Sequence, residues 1–351
     1  MNSTDHTAAS SMTAAVYRRF GGPETVRIEK VATPSPRPDE ILVGVYASTV
    51  SAADHRSRAR DVPRGLGALA ALSIGLFRPR KRILGMDVAG VVEAVGADVT
   101  GFVPGDEVIA MLGARFGGHA EYVCLPQDGA IAAKPRNLGF EEAVTLVFGG
   151  ITARGFLNQV AITAGQRVLV NGASGAVGTA AVQLAKQLGA HVTAVCSAPN
   201  ADLVTSLGAD RVIDYGRDDF AAGGEMYDVI VDCVGNAPFE RVEASLNPGG
   251  ALLLVISDLG GMLRASRRSR KSGKLVSASV GKYRSEDLAY LTSLAEAGLF
   301  RPVIDRVYGL ADVVDAHRQV DAGHKTGNVV LRVVGGAERE AVLADQESAQ
   351  E

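Results

Sequence analysis

The stretch Arg167-Val-Leu-Val-Asn-Gly-Ala-Ser-Gly-Ala-Val-Gly178, running on through Thr-Ala-Ala-Val-Gln-Leu-Ala-Lys-Gln-Leu-Gly189, decides the fold. The apolar run 168–170 stops at Asn171-Gly172, and a segment of Ala, Leu, Gln and Lys with helical spacing follows Gly178. This pattern predicts strand, tight glycine turn and helix. Such a helix start offers unpaired N–H groups and the positive end of its dipole to a pyrophosphate. Gly175 and Gly178 stand where a side chain would block the approach of backbone to ligand, or of helix to strand. A glycine triplet alone fits any βαβ turn. With a strand before it and another expected from His191 after the helix, it points to a dinucleotide.

Downstream, strands and helices alternate. Strands are expected at 191–196, 212–214, 228–232, 251–256 and 275–280, and helices at 201–207, 239–246 and 286–297. That alternation implies a doubly wound parallel sheet with helices on both faces. Upstream the pattern differs. A hairpin is expected over 12–31 around Gly21-Gly22-Pro23, then short glycine-punctuated strands within 41–47, 85–96, 102–109 and 117–124. These describe a compact β-rich domain. Helices are expected over 140–149 and from Thr152 towards Val160. The last elements, a strand at 307–310, a helix at 312–321 and a strand at 328–334, are expected to return to the β-rich domain. The polar ends, 1–11 and 335–351, read as flexible tails.

The length allows two domains, and 47% apolar content is ample for their cores. A net charge of −3 gives no global electrostatic case for nucleic acid or an anionic membrane. Cys124, Cys196 and Cys233 are far apart, without a CxxC pair or metal-ligand spacing, which suits a reducing compartment. The polar start lacks the apolar core of a signal peptide, and the loosely apolar stretch 66–77 is too short to span a bilayer. The expectation is a cytoplasmic protein without a membrane span.

Several ordered signatures go further: Gly85-Met-Asp-Val-Ala-Gly90, Pro104-Gly-Asp106, Gly118-His-Ala-Glu-Tyr122, Gly172-Ala-Ser-Gly-Ala-Val-Gly178, Leu207-Gly-Ala-Asp-Arg-Val-Ile-Asp-Tyr215 and Lys325-Thr-Gly-Asn328. Together they resemble the medium-chain dehydrogenase/reductase superfamily over nearly all of 12–334. More narrowly they resemble its zinc-independent quinone oxidoreductase branch, including bacterial members labelled NAD(P)-dependent alcohol dehydrogenases. The resemblance implies an α/β chain in which a GroES-like catalytic domain (12–138 and 306–334) is split around a Rossmann NADP-binding domain (139–305). The active site would lie in the cleft between them. It also implies cofactor contacts from Thr152, from the turn Gly172, Ala173, Ser174, Gly175, Ala176, Val177 and Gly178, and from Cys196, Ser197, Asn200, Tyr215, Cys233, Val234, Gly235, Ile256 and Asn328. A homodimer through the sheet edge near 251–256 and 275–280 follows from the resemblance, and an open sheet edge makes it physically reasonable.

The zinc-using members of this superfamily hold the catalytic metal with two Cys and one His. Those positions fall here at Ser51, Met86 and Phe148, none of which suits zinc's preference for thiolate, imidazole or carboxylate. Asp87 alone cannot hold the ion, and no four-cysteine lobe stands between Asp106 and Tyr122. No metal is therefore expected. Without a Lewis acid, hydrogen-bond donors must stabilise charge on a carbonyl oxygen. A quinone or α,β-unsaturated carbonyl spreads that charge, so weaker donors suffice. Hydride transfer from a reduced nicotinamide to such a substrate is the expected reaction.

NAD-preferring sites carry an acid at the end of the second strand, on the ribose 2′-OH. Here Cys196-Ser197 and then Asn200 occupy that place, and Tyr215 matches a tyrosine beside the 2′-phosphate in related quinone reductases. NADPH is expected, with NADH possible, since Asn200 stands where those relatives often have lysine. On the substrate side, Ser51 offers a hydroxyl where zinc would sit. His55 offers a proton relay, against a plainer reading as a packing histidine. Asp54 reads as orienting the loop. Tyr46 and Tyr122 read as core, and His119, His191, His317 and His324 show no clustering in the sequence.

Two stretches exceed the minimal pattern: 60–82, apolar with a basic end, and the basic 261–274. Both fit a cleft cover, and the second also reads as a solvated charged loop. Three functions remain open at this point. They are an NADPH-dependent quinone or enone reductase, an enoyl-thioester or simple ketone/alcohol oxidoreductase, and an NADPH-binding module that senses or accompanies nucleic acid without turnover.

Overall fold

The computed structural model describes residues 11–62, 65, 67, 71–72, 74–279 and 281–333. The expected tails therefore lie outside the described residues, except Ser11. The strands are β1 (Ser11–Tyr17), β2 (Val26–Ala32), β3 (Glu40–Val50), β4 (Asp87–Val95), β5 (Glu107–Met111), β6 (Tyr122–Pro126), β7 (Ala130–Ala133), β8 (Arg167–Asn171), β9 (His191–Cys196), β10 (Arg211–Asp214), β11 (Tyr227–Asp232), β12 (Leu246–Leu254), β13 (Leu275–Ser277), β14 (Ile304–Gly309) and β15 (Asn328–Arg332).

The quoted stretch forms β8, whose Val168, Leu169 and Val170 are wholly buried, and then the helix Ala176–Gln187. Burial on both faces is what a parallel strand covered by helices requires. The strands assemble as β10-β9-β8-β11-β12-β13, with parallel pairing throughout. Winding reverses between β8 and β11, so a crevice opens beyond their carboxyl ends. The other large sheet runs β14-β15-β3-β4-β5-β7, with β6 also on β3. β14 and β15 follow the parallel sheet in sequence but join this second one, β15 running antiparallel to β3 with Val329 opposite Val50. β1 and β2 form a hairpin packed at its side.

Several local expectations are corrected. The helix expected over 140–149 is three pieces: Phe140–Ala143, a 3₁₀ turn Val144–Leu146, and Phe148–Leu157. The last starts early because Gly149 and Gly150 let it lie against its neighbours. A Cβ at Gly149 would sit 2.4 Å from the Ala176 carbonyl oxygen. The helix expected over 239–246 shortens to Phe239–Val242 plus a 3₁₀ turn, and β13 ends at Ser277. The basic 261–274 segment is no loop. It lies in the helix Leu259–Ser272, where Asp258 caps the Gly261 N–H at 2.5 Å and left-handed Gly273 stops the chain. The described part of 60–82 reaches this helix, since a Cβ on Gly65 would meet Leu259 at 2.9 Å. Among the described residues, no helix is long and apolar enough to cross a membrane.

Candidate active site

A cleft of about 1010 Å³ opens at the β8/β11 switch point, between the parallel sheet and the β-rich sheet. Its nucleotide wall begins at Gly172, whose φ of +78° is open to glycine without strain. Gly175 then starts the Ala176–Gln187 helix with no side chain capping the first turn. Gly178 is required by packing, because a Cβ there would stand 2.1 Å from the Gly172 carbonyl oxygen. At Gly175 the nearest atom to such a Cβ is 3.6 Å away, leaving an open cradle at the helix start.

Asp232, wholly buried at the end of β11, braces the opposite lip. It accepts from Asn171 Nδ2 at 2.8 Å and from the N–H groups of Val234, Gly235 and Ala237 at 3.0, 3.0 and 2.9 Å. Asn171 also donates to Asn236 Oδ1 at 2.7 Å, tying β8 to the turn after β11. The turn holds Cys233 and Val234 at the cleft. Burial pushes the Cys233 thiol well up, so it stays protonated.

Beyond β9, Asn200 donates to Ser197 Oγ at 3.2 Å and accepts from Thr326 Oγ1 at 3.0 Å. The segment 323–328 thus clasps the nucleotide wall from the β-rich side. Gly327 N–H donates to the Ser174 carbonyl at 2.7 Å, and Gly327 bridges Gly175.

Of the expected cofactor residues, Thr152, Gly172, Ser174, Gly175, Ala176, Val177, Gly178, Ser197, Asn200, Tyr215, Cys233, Val234, Ile256 and Asn328 line this one cleft. Ala173, Cys196 and Gly235 do not. Ala173 and Cys196 are buried beneath the wall, and Gly235 packs its backbone under Ile256 and donates to Asp232. Thr152 Oγ1 is buried at the cleft, where its hydroxyl acts on the Tyr283 phenol. The cradle over Gly175 and the helix start without a side-chain cap fit a nicotinamide dinucleotide.

The substrate wall departs from expectation. Ser51 lines the cleft, but its hydroxyl donates to Asp54 Oδ2 at 2.6 Å and caps the helix Ala52–Ala59. Its one proton is engaged, so it is not a free donor. Asp54 is wholly buried away from the cleft, accepting from Ser51 N–H and Gly85 N–H at 2.8 Å each. His55 also lies off the cleft, its Nδ1 2.6 Å from Asp321 Oδ1. Asp54 and His55 therefore do not line the cleft, and of the catalytic candidates only Ser51 does.

Met86 and Phe148 line the cleft beside Ser51. Hydroxyl, thioether and phenyl in those three places do not fit zinc. The oxygens of Asp87 are occupied by Thr49 N–H and Thr49 Oγ1, each at 2.7 Å, and burial lifts its carboxyl to about 7.

Sequence reasoning missed other cleft residues. Tyr283, from the loop before the helix Ser285–Glu296, faces it, and burial raises the phenol so that it remains protonated. Arg56, Phe156, Arg217, Asp218, Asp219, Arg241 and Lys325 also line it. The carboxylates of Asp218 and Asp219 come from the loop after β10, a source the 196–200 segment could not reveal. Asp219 is paired with Arg241 at 2.8 Å. Away from the cleft, His119 and His317 do cluster. Both are wholly buried, with ring centroids 5.9 Å apart, and burial holds His317 well below its usual pKa.

Residues 37–136 match the family model described as alcohol dehydrogenase GroES-like domain, and residues 207–331 match the one described as zinc-binding dehydrogenase. The chloroplast envelope quinone oxidoreductase homolog of Arabidopsis thaliana is 31% identical, covering 92% of this chain and 99% of that protein. The 2-methylene-furan-3-one reductase of Solanum lycopersicum is also 31% identical, over 95% of this chain and 82% of its own. Among solved structures, the quinone oxidoreductase from Coxiella burnetii superposes with a TM-score of 0.81 at 29% identity, covering 93% of this chain and all of that one (100%). The chain is an oxidoreductase that belongs to the quinone oxidoreductase-like family of the medium-chain dehydrogenases/reductases.

Proposed function

We propose that the protein is a zinc-independent, NADPH-preferring reductase of quinones or α,β-unsaturated carbonyls. The observation that carries this reading is the pairing of walls in one cleft: an open glycine turn faces Ser51, Met86 and Phe148, a set without a metal ligand. Names of the relatives, a quinone oxidoreductase and a reductase of a methylene furanone, favour the same substrate class. When bound, the reduced nicotinamide supplies the hydride.

The chain's own residues do the rest. The glycine turn and the Ala176 helix start hold the pyrophosphate. Ser197, Asn200, Tyr215 and Arg217 support a 2′-phosphate, against which Asp218 works. Met86, Phe148 and Phe156 form apolar walls for a flat conjugated substrate. Tyr283, kept protonated by burial, and Thr152, whose hydroxyl acts on that phenol, are the donors available to a carbonyl oxygen whose charge rises. Ser51 holds the shape of the wall through Asp54. The split domain assignment, cytoplasmic location and a homodimer along the open edge of β13 belong to the same reading; among the described residues β13 pairs only with β12.

Nicotinamide oxidation with quinones, 2-alkenals, enoyl thioesters and simple ketones, with and without chelator, tests it. Turnover of the first two classes with NADPH, unchanged by chelator, is expected. Activity that a chelator abolishes and zinc restores would sink the metal-free reading. Tight NADPH binding without turnover would instead make the protein a binding module.

A further inference from the structure

We infer that Lys325 is a cofactor-affinity residue whose ammonium, delivered by the 323–328 segment, neutralises the pyrophosphate of the dinucleotide. The inference rests on the dinucleotide reading above and extends it to a residue outside the glycine turn. Lys325 is mostly buried and lines the same cleft as Gly172, Ser174 and Gly175. Its Nζ donates to the Gly327 carbonyl at 2.6 Å, and among the described residues no carboxylate lies within ion-pair distance. Asp305, the acid whose charge acts on Lys325, is held by neutral donors. Its oxygens accept from Thr326 N–H at 2.9 Å and from Gln319 Nε2 at 2.8 Å.

A buried cation with no carboxylate at ion-pair distance is unfavourable, and burial lowers this ammonium to about 8, with the more distant charge of Asp305 opposing the shift. A ligand that brings negative charge removes the penalty. The position of the chain decides which charge. Thr326 is tied to Asn200, and Gly327 is tied to Ser174 and bridges Gly175. The Lys325 amine folds back onto the carbonyl of Gly327, the residue that bridges Gly175 at the start of the Ala176–Gln187 helix. The pyrophosphate that this helix start attracts would be shared with a lysine from the opposite sheet. The cofactor then adds a tie between the two sheets beside the Gly327–Ser174 hydrogen bond.

Calorimetric titration of the full chain with NADPH and with NADH separates the outcomes. Lys325→Met should weaken both nucleotides by a similar factor, roughly 10–100-fold, as expected for a lost charge-assisted contact. Lys325→Arg should recover most of the affinity. A folding defect would lower the fraction of molecules that bind, whereas a lost charge raises Kd and flattens its dependence on salt. Binding of both nucleotides within twofold of the wild type would overturn the inference. So would weakened NADPH with unchanged NADH, which would move the lysine to the 2′-phosphate. Absence of NADPH binding by the wild type would instead overturn the dinucleotide reading on which it rests.

Discussion

On the nucleotide wall of the cleft, the working groups are consecutive backbone atoms: β8, the turn from Gly172 to Gly175, and the first turn of the helix that follows. On the substrate wall they are side chains from distant segments. Ser51 caps one helix, Met86 precedes β4, Phe148 and Thr152 share another helix, and Tyr283 arrives from the segment between β13 and the helix Ser285–Glu296. The first wall is dictated by local geometry, because Gly172 and Gly178 hold positions closed to larger residues and a helix start presents its first N–H groups. The second depends on the packing of the two sheets. Substitutions should therefore act differently on the two walls.

The largest effect is expected at Gly178. A methyl group there would press on the Gly172 carbonyl oxygen, so the helix must move away from the turn. Gly178→Ala should lose about 1–3 kcal/mol of stability, measured by denaturant titration. It should also weaken NADPH by about 100-fold, since a small displacement of binding groups suffices for that. Gly175→Ala makes the contrast. Its φ of −78° suits alanine, and the added methyl has room in the free protein. Thermal stability should hold or rise slightly, while NADPH affinity falls by about tenfold because the methyl fills the cradle. Equal stability losses for both variants would show that the turn is governed by packing alone.

The same contrast explains what could be read from the sequence. The turn, the alternation of strands and helices, and the return of β14 and β15 were legible because period and glycine placement are local signals. Most residues expected at the cofactor reach the cleft for that reason. Ala173 and Cys196 fall short by one position each: in a strand or turn, adjacent side chains point opposite ways. Tyr283, Arg56 and Lys325 carry no local pattern, and only the packing of the sheets brings them to the cleft. The His119–His317 pair joins residues nearly two hundred positions apart, beyond any spacing rule. The helix Leu259–Ser272 was hidden by its own charge. Its Asp258 cap and Gly273 stop were the readable signals, and the arginines between them drew the reading towards a loop.

A middle-sized effect probes the substrate wall. Tyr283→Phe removes the protonated phenol while keeping the ring that fills the wall. If this hydroxyl meets the substrate oxygen, kcat/KM should fall by about 10–100-fold, with the Kd for NADPH unchanged. Steady-state rates with a 2-alkenal, which depends more on such a donor than a quinone does, give the cleaner reading. An unchanged rate would transfer the role to Thr152 or to solvent.

The smallest effect is expected at Ser51, where sequence and structure disagree most. The residue stands in the place of a zinc ligand and faces the cleft, which suggests chemistry. Yet its hydroxyl gives its proton to Asp54 and its lone pair faces the Asp54 N–H, the reciprocal pattern of a helix cap. Ser51→Ala should then lose about 1 kcal/mol of stability and leave kcat/KM within about threefold, because a caged hydroxyl contributes little to a transition state. Thr should restore the stability. The opposite result, a rate lost with stability intact, would mean that the hydroxyl turns from Asp54 to the substrate during turnover. The substrate wall would then be rearranged by its ligand, whereas the glycine turn is in place before the ligand arrives.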